Sequence, residues 1–265
     1  FSGRILGYAR REETRQQAIE SGMVDDVFSE PSDAVRTADI SVICVPIWTI
    51  AKLAGEIVPA LKPGAVVTDV GSTKSELLNT MAPLFKDSTA CFIGSHPIAG
   101  SEKTGFEAGN PDLYEGRLTV VCPSENTSME AQQAVINLWK SAGSDVVEMS
   151  PEAHDAMLAS TSHLPHMIAA ALARSVANGD PAAKADFCGT GFKDTTRVAS
   201  GSADMWIDII DTNRSALEAE LDRFHEELQG LIAILREGKG NDIRKWLEEA
   251  ADDRNQILKF NRFLK

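Results

Sequence analysis

Short apolar runs alternate with helix-forming stretches over the first 150 residues and then cease, and this pattern constrains the fold more than any other feature. "RILGYA", "DISVICVP", "AVVTDVG", "ACFIGSHP", "RLTVVCP" and "SDVVEMS" each read as a strand of nearly continuous apolar character. Strands without polar alternation belong in a sheet covered on both faces. "EETRQQAIESG", "IWTIAKLAGEIVPAL", "STKSELLNTMAPLF" and "SMEAQQAVINLWKSAG" supply the covering helices, with shorter elements near "VDDVF" and "SEPSDAV". The expectation is an α/β fold with a doubly wound, mostly parallel sheet over residues 1–150.

From 151 to 265 the pattern is helical throughout. "SPEAHDAMLASTSHLPHMIAAALARSVAN" opens with a serine cap and a proline in the first turn, and Pro165 is expected to kink or interrupt it. A stripe through Leu217, Leu221, Phe224, Leu228, Leu231 and Leu235 runs until Gly238 and Gly240. A stripe of that length needs a partner, and a homodimer through the C-terminal helices is the expected one.

The net charge of -13 and pI near 4.8 disfavour a nucleic-acid or anionic-membrane surface. No run of apolar residues is long enough for a membrane helix. Cys44, Cys91, Cys122 and Cys188 are far apart, with no CxxC pair and no metal-ligand spacing. No metal site is expected, and a reducing, cytoplasmic setting is the default.

In doubly wound sheets ligands sit at the carboxyl ends of the strands, which draws attention to "YARR", "VPI", "DVGSTK" and "GSHPIAG". A dinucleotide site ordinarily begins with a GxGxxG turn, and none is present. The order of elements fits a dinucleotide-binding sheet whose first β–α unit, with its phosphate loop, lies upstream of Phe1. "RILGYA" would then be the second strand, where an NAD-selective site commonly offers a carboxylate to the ribose. This chain offers Ala9, Arg10 and Arg11 instead. Guanidinium groups match a 2′-phosphate, so NADP is preferred and NAD possible, unless the arginines merely solvate a helix start. Val45, Pro46 and Gly71 complete the expected cofactor contacts.

His96 lies in "GSHPIAGSEKTG", either in an ordinary strand-to-loop corner or as a base whose neutral form is populated near pH 7. Ser72 either orients that ring or caps the helix after it. His163 and His166, three residues apart, can share a helical face, but no carboxylate accompanies them as in a metal motif. His163 reads as structural, while His154 and His225 read as helix-surface residues without a role. Arg197 presents a planar fork suited to a substrate carboxylate, or forms a salt bridge with Asp194.

At "DVGSTK", "GSHPIAGSEKTG", "HLPH" and "GFKDTTRVASG" the sequence closely resembles the prephenate/arogenate dehydrogenase family of tyrosine biosynthesis, over essentially its whole length. The resemblance implies oxidation of a cyclohexadienol by NAD or NADP with loss of the ring carboxylate as carbon dioxide. It implies that His96 is the catalytic histidine, Ser72 its orienting serine, His166 a second active-site histidine and Arg197 the substrate-binding arginine. Glu102 and Asp194 match acidic residues of the pocket's ionic network. Two other readings stand beside it: a different β-hydroxyacid dehydrogenase centred on Lys74 or Lys193, and a non-catalytic dimeric sensor with a decayed nucleotide domain.

Overall fold

A computed structural model describes residues 3–100, 109–124 and 127–263. The first half runs β1 (Leu6–Tyr8), α1 (Glu12–Glu20), β2 (Asp26–Phe28), α2 (Pro31–Val35), β3 (Ile40–Ile43), α3 (Ile47–Ile57), β4 (Val66–Asp69) and α4 (Ser75–Phe85). It continues through β5 (Cys91–Pro97), β6 (Leu118–Cys122), α5 (Met129–Ser141) and β7 (Asp145–Glu148). The second half contains α6 (Pro151–Leu158), α7 (Leu164–Ala177), α8 (Pro181–Ala185), α9 (Thr190–Thr196), α10 (Ala203–Thr212), α11 (Arg214–Glu237) and α12 (Gly240–Phe260).

β1 pairs with β2, and β3 to β7 form a second sheet in sequence order. Every pairing is parallel except β5 with β6, where His96 lies opposite Val120. A parallel return would need a crossover helix, and the described residues between Pro97 and Leu118 form only turns and coil. The sheet is therefore mixed, with a single antiparallel junction at the strand that carries His96.

Side-chain alternation along the strands builds two cores. On one face, Val67 and Phe92 pack with Ile50, Ala54, Leu77 and Met81 of α3 and α4. On the other, the neighbouring Val66 and Ile93 pack with Val135, Ile136 and Trp139 of α5. Adjacent residues of one strand thus serve opposite layers, which is why the strands read as nearly continuous apolar runs.

Ser150 caps α6 as its sequence predicts, accepting a hydrogen bond from the Ala153 amide. Pro165 does interrupt the long helix. A π-helical turn, Ala159–His163, precedes α7, and Pro165 occupies the first turn of α7. The widened turn lets the chain continue where a proline ring would otherwise meet the preceding carbonyls. Gly238, in a left-handed conformation at φ 68°, ends α11 where the apolar stripe breaks.

Candidate active site

The end of β4 and the start of α4 bring two charged groups into the interior. Asp69, the last residue of β4, accepts from the amides of Ser95 at 3.0 Å and Gly71 at 2.7 Å, and pairs with the Lys74 ammonium. Asp69 and Lys74 are both 0% exposed. Gly94 makes room for the lysine stem: a Cβ there would lie 2.6 Å from Leu78 Cδ1 and 3.1 Å from Lys74 Cδ. The Ser95 hydroxyl donates to the Asp69 carbonyl at 2.5 Å and receives Trp139 Nε1–H at 3.0 Å. Strand β5 is thereby locked from both layers just before His96.

His96 is half-buried at the carboxyl end of β5, and its Nδ1 lies 2.9 Å from His154 Nε2 on α6. His154 Nδ1 in turn lies 2.7 Å from Asp155 Oδ1. The Asp155 carboxylate accepts the amides of Lys74 and Ser75, each at 2.8 Å. A carboxylate from the helical half therefore satisfies the first turn of α4 in the sheet half. Burial would raise its pKa, but the bonds from His154 and those amides outweigh burial and hold it below the usual range. Asn213, between α10 and α11, completes the junction by donating to the Asp155 carbonyl at 2.8 Å and to His163 Nδ1 at 3.2 Å.

This arrangement corrects the surface reading of His154, which is 0% exposed and joins His96 to Asp155. The available signal was its spacing: Leu158, four residues on, lies on the same buried face of α6. Asp155 and Asn213 carried no comparable signal, since their partners are 80 and 58 residues away in sequence. His163 is buried, with its Nδ1 bonded to Asn213. Ser72 is not the cap of α4, whose N-cap is Lys74, and the Asp155 carboxylate does the capping. Among the described residues, the His96 ring has His154 as its hydrogen-bond partner and not Ser72.

His166 stacks on Trp206 of α10, with ring centroids 3.5 Å apart and planes inclined by 15°. Gly201 permits the stack, because a Cβ there would fall 2.8 Å from Trp206 Nε1 and 3.2 Å from His166 Cε1. Trp206 was not singled out by the sequence. Arg197 opens a 3-10 turn, Arg197–Ser200, at the end of α9; it and Asp194 are exposed. Glu102 lies outside the described residues. Ala9, Arg10 and Arg11 follow β1, Val45 and Pro46 follow β3, and Gly71 follows β4, all at carboxyl ends of parallel strands. The described residues hold no cluster suited to a metal ion, and all four cysteines are free.

Burial, with the charges of His154, Lys74 and His163, holds the pKa of His96 well below 6.5. Burial alone lowers His166. Burial also lowers His163 to about 4, opposed by Asp155 and helped by His154 and His166. The donated bond from Asn213 agrees with this, since it requires a lone pair on His163 Nδ1. Below about pH 6.5 an unfolded histidine takes up a proton that folded His163 refuses, so stability should fall as pH drops toward 4. Urea unfolding at pH 7 and pH 5 should show a loss of roughly 2 kcal/mol from this residue. His163→Asn should flatten the dependence; an unchanged slope would show that the ring is charged in the native state.

A strand-end imidazole facing a helical half that supplies further histidines, on a nucleotide-binding type of sheet, defines a two-domain NAD(P)-dependent oxidoreductase. Residues 1–148 match the family model for the prephenate dehydrogenase nucleotide-binding domain, and residues 150–249 match that for the prephenate dehydrogenase dimerization domain. The chain belongs to the prephenate dehydrogenase family. It is 31% identical over 246 residues to the cyclohexadienyl dehydrogenase of Zymomonas mobilis, covering 92% of this chain and 83% of that one. Prephenate dehydrogenase from A. aeolicus, solved with hydroxyphenyl propionate and NAD+, superposes with a TM-score of 0.88 at 31% identity, over 97% of this chain and 90% of that one. Synechocystis arogenate dehydrogenase superposes with a TM-score of 0.83 at 28% identity, over 95% and 90%.

Proposed function

We propose that this protein oxidatively decarboxylates prephenate, arogenate or both, using NADP in preference to NAD. The observation that carries the reading is the placement of His96: at a strand end, backed by a buried imidazole and carboxylate, with Nδ1 engaged by His154 and Nε2 without a partner among the described residues. His96 takes the proton of the ring hydroxyl as hydride leaves the same carbon. Arg197 receives a substrate carboxylate, with Asp194 and Glu102 setting the charge around it. His166, fixed by Trp206, lines the substrate space. Since His154 occupies His96 Nδ1, a Ser72 hydroxyl bond to this ring would use Nε2, the nitrogen offered to substrate.

The residues after β1 fit a phosphorylated dinucleotide. Arg10 and Arg11 are exposed, and Arg15 holds the turn by donating to the carbonyls of Ala9 at 2.8 Å and Arg10 at 2.9 Å. Glu12, the first acidic residue beyond, is drawn onto Arg15. Val45, Pro46 and Gly71 would line the cofactor's path along the strand ends. The nicotinamide, when bound, supplies the hydride acceptor. Arg10→Ala should raise the apparent Kd for NADP about tenfold and leave that for NAD nearly unchanged. Equal changes would remove the 2′-phosphate assignment.

A homodimer through the helical half is supported by exposed Leu228, Ile232, Leu235, Leu247, Ile257 and Phe260 on α11 and α12. The activity is tested by following reduced cofactor with prephenate and with arogenate, each with NAD and NADP. Turnover is expected in at least one combination. Silence in all four from folded protein would reject the reading.

A further inference from the structure

We propose that His154 and Asp155 are positioning residues for His96, fixing its ring as the Nδ1–H tautomer and accepting the Nδ1 proton as Nε2 receives the substrate's. This deepens the dehydrogenase reading and rests on it for the catalytic consequence, while the tautomer assignment rests on the hydrogen bonds alone.

The assignment follows from the fixed end of the chain of bonds. Backbone amides can only donate, and those of Lys74 and Ser75 point at Asp155 Oδ1 and Oδ2. The carboxylate is therefore an acceptor on both oxygens, and His154 Nδ1, 2.7 Å from Oδ1, must donate. In the neutral His154 ring this leaves Nε2 as the acceptor. His96 Nδ1, 2.9 Å away, must then be the donor. One proton on the His96 ring leaves Nε2 as a lone pair, so a bond between two backbone amides and a carboxylate on α6 determines which nitrogen of β5 is the base.

The proton count closes along the same path. The O–H bond of the substrate breaks and an N–H bond forms at His96 Nε2. The proton on His96 Nδ1 moves to His154 Nε2, leaving His96 neutral and the His154 imidazolium beside the Asp155 carboxylate. After product leaves, the transfers reverse and Nε2 gives its proton to water. No oxidant beyond the nicotinamide is needed, because only protons move in the relay.

The environment favours such a transfer. A cation confined to His96 would be opposed by desolvation and by the charge of Lys74, whereas on His154 it lies 2.7 Å from a carboxylate oxygen. Burial and those neighbouring charges hold His96 well below the usual imidazole pKa, which makes an isolated His96 a weak base. The relay separates the nitrogen that meets the substrate from the site that holds the charge.

The test combines histidine nitrogen NMR with kinetics on the full chain. Long-range 15N–1H correlation spectra of 15N-histidine-labelled protein should show His96 with Nδ1 protonated and Nε2 bare. His154→Gln keeps an acceptor toward His96 and a donor toward Asp155 but cannot carry the proton. It should preserve the tautomer and lower kcat about tenfold, with substrate KM within about threefold. His154→Phe removes both functions; His96 should become a tautomer mixture and kcat should fall about 10²-fold. If His154→Phe does not fold, the wild-type spectrum and His154→Gln still decide. Protonation of wild-type His96 at Nε2, or a His154→Gln enzyme with undiminished kcat, overturns the proposal. An Nδ1–H His96 in a protein inactive on every substrate and cofactor pair would instead reject the dehydrogenase reading and leave the tautomer assignment standing.

Discussion

His96→Asn should lower kcat roughly 10³-fold, the range expected when a positioned general base is removed. Binding should survive, with the Kd values for substrate and cofactor within about threefold of wild type. The asparagine amide can still donate toward His154 Nε2, 2.9 Å from the nitrogen it replaces, so the junction between β5 and α6 should stay intact. It has no lone pair basic enough to accept the hydroxyl proton. Steady-state rates with binding measured by calorimetry separate the two effects. A kcat within tenfold of wild type would move the base elsewhere. A loss appearing only in KM would make His96 a binding residue.

The parts of this molecule that follow from local pattern were readable in the chain. β3, β4 and β5 announced themselves because both faces of the sheet are covered, so most positions along them are apolar. The Ser150 cap and the break at Pro165 follow from backbone hydrogen bonding, which is local in sequence. The position of His96 near a strand end was legible, because the strand it belongs to was. What surrounds it was not. Asp155 caps a helix 80 residues upstream, and Asn213 holds Asp155 from 58 residues downstream. No periodicity reports that a side chain on one helix will satisfy the amides of another. His154 was misread for a related reason: a histidine on an amphipathic helix looks like a surface residue until a buried carboxylate and a second imidazole are placed against it. The one antiparallel pairing among the described strands, β5 with β6, also leaves no mark in the residues of the strands themselves.

Lys74 shows how the same tertiary effects bear on a competing interpretation. A dehydrogenase relying on lysine would need the Lys74 ammonium at the reacting hydroxyl, but that group is fully buried and paired with Asp69. Lys74→Met keeps a stem that can pack beside Gly94 and the backbone amide that Asp155 accepts, while removing the cation. Breaking a buried pair in this way leaves an uncompensated carboxylate and should cost about 3–5 kcal/mol. Two amides still donate to Asp69, from Gly71 and Ser95, which places the expected loss toward the lower end of that range. Against a typical total stability of about 5–15 kcal/mol, this is a large fraction, readable as a shift in the urea midpoint. Activity per folded molecule, measured at low temperature where the variant remains native, should fall far less than in His96→Asn. If kcat instead collapsed about 10³-fold with stability unchanged, the lysine would be the group that meets the substrate. The structure argues against that outcome because the Lys74 ammonium is sealed against Asp69, while His96 keeps a ring nitrogen that His154 does not occupy.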